Sequence, residues 1–394
     1  MLALTLGGGS AQNLWSDHLL QLIMLPLVMI GMINLFENRL GNISRSLVLL
    51  ILLLLVFQFV PIGTTSGLPV FSGLESNWAF WAASPSRALE SVIFTISILG
   101  LFLFIANLND HQQERLIKFI TLGFVINMLV GIIQLSYGAK VIISNVLPFD
   151  IASAMFANEN HFSSLVYMVI PLFAWRFLAT AWQPLVFIMI AFLIVLFQFA
   201  IGSRAGMAIA TGLAMFSFFW FGISFVPLKV KQVILGLVPL IVLLGFYYYL
   251  TNQTQTGATR SVFFATIWQA IQNHWGLGTG LGSFVIIYPM YEAREEIAYV
   301  YANHAHSDFL ELLLEVGIAS IALFLLYAFQ IIKHSTRSKL SQAAGLAILA
   351  VLLHSAVDYP LRTMAISTIF GILSAIILSQ RPGQPAPSST VFRS

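Results

Sequence analysis

The sequence predicts an all-α polytopic membrane protein, and three observations carry that prediction. Of 394 residues, 59% are hydrophobic and only 8% charged, with a mean hydropathy of +0.91, whereas soluble domains carry roughly 25% charged residues. Apolar runs of about 17–22 residues recur along the chain and match the ~20 residues a spanning helix needs. The short alternating segments that a β-barrel would require are missing from the sequence. There is no cysteine, which excludes disulfides, thiolate metal sites and a cysteine nucleophile. No cleavable signal peptide is visible, so the first spans are expected to act as the insertion signal.

Taken in order, the apolar runs give eleven expected spans: about 19–36, 43–62, 88–106, 116–136, 163–180, 184–201, 205–222, 232–250, 309–332, 341–357 and 363–379. Alternate loops then carry unequal positive charge. One side holds twelve cations: Arg39, Arg45, Arg115, Lys118, Arg176, Lys229, Lys231, Lys333, Arg337, Lys339, Arg381 and Arg393. The other holds six: Arg87, Lys140, Arg204, Arg260, Arg294 and Arg362. The positive-inside rule assigns the richer side to the cytoplasm. Segments 63–87, 137–162 and 251–308 then lie outside. The N-terminus falls outside as well, and residues 1–9 read like the tail of one more helix. The layout expected is therefore one of twelve spans shortened at the N-terminus. Residues 1–380 are read as a single transmembrane helical domain and 381–394, rich in Pro and Ser, as a disordered cytoplasmic tail. No internal repeat supports an inverted-repeat transporter.

Segment 251–308 is too long for a simple connector. Within it Phe264, Ile267, Trp268, Ile271 and Trp275 recur at helical spacing, opposite Gln269, Gln272 and Asn273. That pattern predicts an amphipathic helix on the membrane surface or over a cavity. Gly276–Gly282 follows, with four glycines in seven residues. It lacks the preceding strand and opening helix of a dinucleotide site, so a tight turn is the expectation.

Chemistry concentrates between Tyr301 and Gly317, where His304, His306, Asp308, Glu311 and Glu315 stand where a polar loop runs into an apolar helix. Carboxylates entering a membrane are costly and mark a satisfied polar site rather than a lipid-facing surface. Imidazole titrates near neutrality and can take a proton from a hydroxyl. A His-x-His pair beside carboxylates also has the ligand types of a zinc site, but no third histidine stands at a ligand spacing, and no metal is expected. Asp308, Glu311 and Glu315 fall on one helical stripe, able to orient a histidine or to pair with an arginine. Arg204, in the Gly202–Arg204 turn, and Arg260, opening the amphipathic helix, are exceptions to the charge rule. Each either snorkels to lipid phosphate or clamps a diphosphate with its fork of donors. His354, Asp358 and Arg362 are spaced four apart, and Asp358–Arg362 reads first as an ion pair at a helix terminus and second as site lining. Asn158 and Asn160 have amides suited to sugar hydroxyls, although Asn also caps helices.

These motifs together resemble the O-antigen polymerase and ligase superfamily, the Wzy-type polymerases and O-antigen ligases of bacterial inner membranes. The likeness rests on Phe156-Ala-Asn-Glu-Asn-His161, Gly202-Ser-Arg-Ala-Gly206, Thr259-Arg-Ser261 with Trp268 and Gly278–Phe284, His304–Glu311 with Glu315-Val-Gly317, and His354–Arg362, in that order over about residues 150–365. The resemblance implies inverting, metal-independent glycosyl transfer at the periplasmic face, without a cofactor, from a glycan on undecaprenyl diphosphate. The acceptor would be another glycan or lipid A core, and a chain-length regulator is a possible partner. It also implies that the catalytic histidine matches His306 and the two diphosphate arginines match Arg204 and Arg260. Ser307 stands where the family has Asn, so His304 and His306 both stay open as the base.

The residues themselves agree with that chemistry. A base and two clamps fall on the side of the membrane that lacks nucleotide energy, where a donor must arrive already activated. Polymerisation of repeat units is the first expectation, ligation of a finished glycan to lipid A core or protein the second. A flippase or secondary transporter is the third, disfavoured because charges crowd helix ends and few lie near span centres.

Overall fold

The computed structural model describes residues 1–35, 40–64, 78–137, 147–223, 227, 255–293 and 302–379. Its helices follow the apolar runs: α1 Leu2–Leu6, α2 Trp15–Asn34, α3 Asn42–Phe57, α4 Pro85–Ala106, α5 Asp110–Tyr137, α6 Glu159–Ala174, α7 Pro184–Ile201 and α8 Arg204–Ser217. Then come α9 Gln255–His274, α10 Phe284–Ile287, α11 Asp308–Val316, α12 Ile318–Ser335, α13 Lys339–Ser355 and α14 Met364–Leu378. A small antiparallel pair, β1 Pro61–Thr64 with β2 Trp78–Phe80, is the sheet among the described residues. Short π-helical turns extend α6 and α8, at Trp175–Thr180 and Phe218–Gly222.

Seven described helices are long and apolar enough to cross a membrane, and three shorter ones, Ser44–Phe57, Lys339–Ser355 and Met364–Leu378, are apolar as well. Nine of them coincide with expected spans, and the tenth, Ile318–Ser335, covers only the second part of the one expected over 309–332. The remaining one, 232–250, lies outside the described residues, as does the tail from 380. Many side chains of α7 and α12 stand exposed, among them Leu185, Phe192, Leu325 and Ile332, as expected for surfaces that meet lipid.

The bundle is built around α6. From His161 to Leu172 every residue is buried, because this helix is apolar or small all round and packs on α7, α8 and α13. Ser163 and Gly206 let α6 and α8 approach closely, since a Cβ at Gly206 would collide with the Ser163 hydroxyl. The loops separate by end as the alternating charge pattern expects. At one end Leu40 bridges Ser379, which also meets Gln113 at 3.3 Å and Arg337 at 3.5 Å. At the other, Arg87 donates to Gln12 and the Asp308 amide donates to the Asp358 carbonyl at 3.1 Å.

The continuous ninth span expected over 309–332 is instead two helices, α11 and α12, broken at Gly317. That residue has φ +65° and ψ −151°, a conformation open essentially to glycine alone. The glycine-rich turn stabilises the break. Amides of Thr279 and Gly280 donate to the Leu314 and Glu315 carbonyls at 3.0 and 2.8 Å, and the Ile318 amide donates to the Trp275 carbonyl at 2.8 Å. Backbone groups freed by unwinding are thus satisfied. A Cβ at Gly278 would strike the Glu315 backbone, which is why the turn needs glycine there.

The amphipathic helix forms as α9, but its tryptophans are not on its packed face. Ile267, Ala270 and Ile271 are buried with Phe284, Tyr288 and Leu314, while Trp268 and Trp275 are 50% and 59% exposed. Of residues 1–9, Leu2–Leu6 are helical and Gly7–Gly9 are not.

Candidate functional site

The sequence-selected residues gather at one end of the bundle, where α11 begins. Ser307 caps α11, its hydroxyl accepting from the Leu310 amide at 3.4 Å, and bonds the Ser355 carbonyl at 3.2 Å. Just before it His306 has φ +49°, a left-handed backbone uncommon outside glycine. This bend sends the two histidines to different surroundings: His304 is buried, and His306 is partly buried.

His304 is held at both ring nitrogens. Nδ1 donates to Glu311 Oε1 at 2.8 Å and Nε2 donates to the Ser10 carbonyl at 2.7 Å. Both partners accept, so the ring carries two protons and a positive charge. Burial opposes that charge, but the Glu311 carboxylate outweighs it and raises the His304 pKa above its ordinary value. The other Glu311 oxygen accepts from the Ala305 amide at 2.8 Å. His306 lies beside two rings, Tyr359 at 5.1 Å and Phe263 of α9 at 5.6 Å, both edge to face.

Arg362 is the hub of the carboxylates. It lies 3.2 Å from Glu315, 3.5 Å from Glu311 and 3.8 Å from Asp308. Asp308 also accepts from Ser355 at 2.7 Å and from the Leu361 amide at 3.2 Å. Burial opposes the guanidinium charge, yet Glu311 and Glu315 hold its pKa above the usual value. The expected Asp358–Arg362 pair is therefore corrected. Helix α13 stops at Ser355 and Pro360 starts a separate turn, Pro360–Arg362, so the two residues do not share a helix face. Asp358 instead accepts from Asn160 and lies 3.7 Å from His161. Burial would raise the Asp358 pKa, but His161 beside it dominates and depresses it.

Asn158 caps α6 by accepting from the Asn160 amide at 2.8 Å. With Asn160 on Asp358, both asparagines sit in the site's frame. Helix α8 approaches the same place from the other side. Gly202 ends α7 in a left-handed turn with φ +89°, and a Cβ there would stand 3.3 Å from Glu159. Ser203 caps α8, and Arg204 is exposed, with no ion pair to another described residue. The start of α6 thus lies between the Arg204 turn and the His304–Arg362 cluster. Arg260 belongs to α9, one turn before Phe263; its side chain lies outside the described residues.

Four members of the frame were not singled out from the sequence: Ser10, His161, Ser355 and Tyr359. Tyr359 is the most central, its ring 4.7 Å from His304, 4.8 Å from His161 and 5.1 Å from His306. Burial, then the charge of Asp358, pushes its hydroxyl up to about 12, while Ser10 and Asn158 bond it. The aromatic inside the His354–Arg362 motif was a usable signal for Tyr359. For Ser10, whose role is a backbone carbonyl 294 residues away from His304, the sequence holds none.

Comparison with curated proteins gives no match. Residues 187–325 match the family model described as O-antigen ligase. That stretch runs from α7 through Arg204, α9 and both histidines into α12, and over it the chain is similar to the O-antigen ligase family.

Proposed function

We propose that this multi-pass membrane protein is an inverting glycosyltransferase of the bacterial inner membrane. It takes glycan from undecaprenyl diphosphate at the periplasmic face, with His306 as the base. The observation that carries the choice of base is the state of its neighbour. His304 donates from both nitrogens and has no lone pair to accept a proton, whereas His306 stands only partly buried at the same turn. In the reaction the acceptor hydroxyl loses its proton to His306 as its oxygen attacks the anomeric carbon. The bond from that carbon to the diphosphate oxygen breaks, its electron pair leaving with the diphosphate, and the centre inverts. Arg204 and Arg260 bind the departing charge, and the dipole at the start of α8 adds to the attraction. His304, Glu311, Asp308, Glu315 and Arg362 hold the base in place and need not touch substrate.

The acceptor we assign first is another lipid-linked repeat unit, which makes the protein a polymerase of O-antigen or exopolysaccharide. The matched family's description favours a second reading, ligation to lipid A core. A null strain separates them: a polymerase null carries single units on the final acceptor, and a ligase null accumulates long chains on undecaprenyl diphosphate.

Purified protein given synthetic lipid-linked donor tests the base. His306→Ala should lower transfer by at least about 10²–10⁴-fold, the typical worth of general-base catalysis, with donor binding retained. Full transfer by that variant would remove His306 from the mechanism.

A further inference from the structure

Helix α9 has three sides rather than two. At ~100° per residue, Ile267, Ala270 and Ile271 form the side packed on α10 and α11. Gln269 and Asn273 occupy the far, exposed side. Trp268 lies on the edge between them, and Trp275, the first residue after the helix, continues that edge two turns on; they are 50% and 59% exposed, and Leu277 in the following turn is 61% exposed. Two tryptophans left exposed on one edge while smaller apolar residues are packed need a partner of their own.

The depth of that edge is set by the break at Gly317. The Ile318 amide donates to the Trp275 carbonyl at 2.8 Å, so Trp275 sits level with the first residue of α12. That helix is long and apolar enough to span a membrane, and it exposes Ile318, Ile321, Leu325 and Phe329 at three- and four-residue spacing, a lipid-facing stripe. The tryptophan edge continues the upper end of that stripe. Tryptophan is the residue favoured at this level, its ring half in the acyl region and its N–H among the headgroups.

We propose that Trp268, Trp275 and Leu277 seat α9 in the interfacial layer of the membrane leaflet on the site's side, with Gln269 and Asn273 facing water. The anchored helix is the one that carries Phe263 against His306 and bears Arg260, so the bilayer surface itself fixes the cover over the histidine turn. The placement rests on the membrane-spanning character of α12 and not on the glycosyltransferase reading; a silent enzyme would leave it intact.

The absence of cysteine makes the test direct. Single variants Trp268→Cys, Trp275→Cys, Leu277→Cys, Gln269→Cys, Asn273→Cys and Leu325→Cys are spin-labelled, reconstituted in phosphatidylglycerol–phosphatidylethanolamine vesicles, and exposed to oxygen or to a water-soluble nickel chelate. The ratio of oxygen to nickel collisions should be severalfold higher at 268, 275 and 277 than at 269 and 273, and lower than at mid-span 325. Equal ratios at 275 and 273 would overturn the proposal, as would labels at 268 and 275 shielded from both reagents, which would mean that protein covers this edge. Should Trp275→Cys fail to elute as the parent protein does, Leu277→Cys reads the same depth.

Discussion

Arg362 and Arg204 are both arginines at helix ends on the same side of the bundle, and their surroundings differ completely. Arg362 is within 4 Å of Asp308, Glu311 and Glu315, and the neighbouring His304 is bound at both nitrogens. Arg204 is exposed, with no ion pair to another described residue. A guanidinium already bonded to carboxylates has little left to offer a ligand, so Arg362 acts as a strut. One that is exposed among the described residues beside a helix N-terminus suits an anion. The same side chain therefore serves the frame in one place and, under the proposed function, meets the donor in the other.

Removing each arginine is the strongest way to break this contrast. Arg362→Ala leaves the carboxylates of α11 buried without their cation and should cost about 3–5 kcal/mol of stability, read as a large fall in the melting temperature of the detergent-solubilised protein. A melting temperature equal to the parent's would mean that the cluster is not the frame. Lysine at 362 should recover only part of the loss, because a point charge cannot serve several carboxylates as a planar fork does.

The His304–Glu311 pair sharpens the picture through pH. Its folded-state pKa is raised, so the stabilisation is complete below the ordinary histidine value of about 6.5. It is lost as pH rises through the higher folded value. The melting-temperature gap between parent and His304→Asn should therefore shrink on the alkaline side, whereas a gap that widens there would reverse the charge assignment. The smallest effect on stability belongs to Arg204→Ala, within about ±0.5 kcal/mol for an exposed position. The same variant should weaken binding of the lipid diphosphate donor by about 1.5–3 kcal/mol, the worth of a charge-assisted hydrogen bond. A drop in melting temperature with donor affinity unchanged would make Arg204 a structural residue too.

Much of this site was legible in the sequence because its residues cluster in short motifs. His304 to Gly317 announced itself by charges entering an apolar run, and the turn at Arg204 by glycine and a cap residue between two spans. Other readings could not succeed from the sequence. The pairing of Asp358 with Arg362 followed the four-residue rule, which assumes one continuous helix, and Pro360 ends that assumption. The break at Gly317 was hidden because Leu312 to Leu326 is apolar throughout apart from Glu315 and Ser320. A hydropathy pattern records burial and says little of the direction of the backbone.

By itself, then, the sequence determined that the chain is a helical membrane protein, where most helices lie, and which short stretches carry its charge. Those properties depend on local composition and on the length of apolar runs, which a bilayer reads directly. Tertiary structure alone decided which histidine is held at both ring nitrogens by Glu311 and Ser10, and which arginine the carboxylates hold. Those depend on contacts between distant segments: Ser10 with His304, and α11 with Arg362. There a few ångströms separate a charge neutralised by buried carboxylates from one that no described residue pairs.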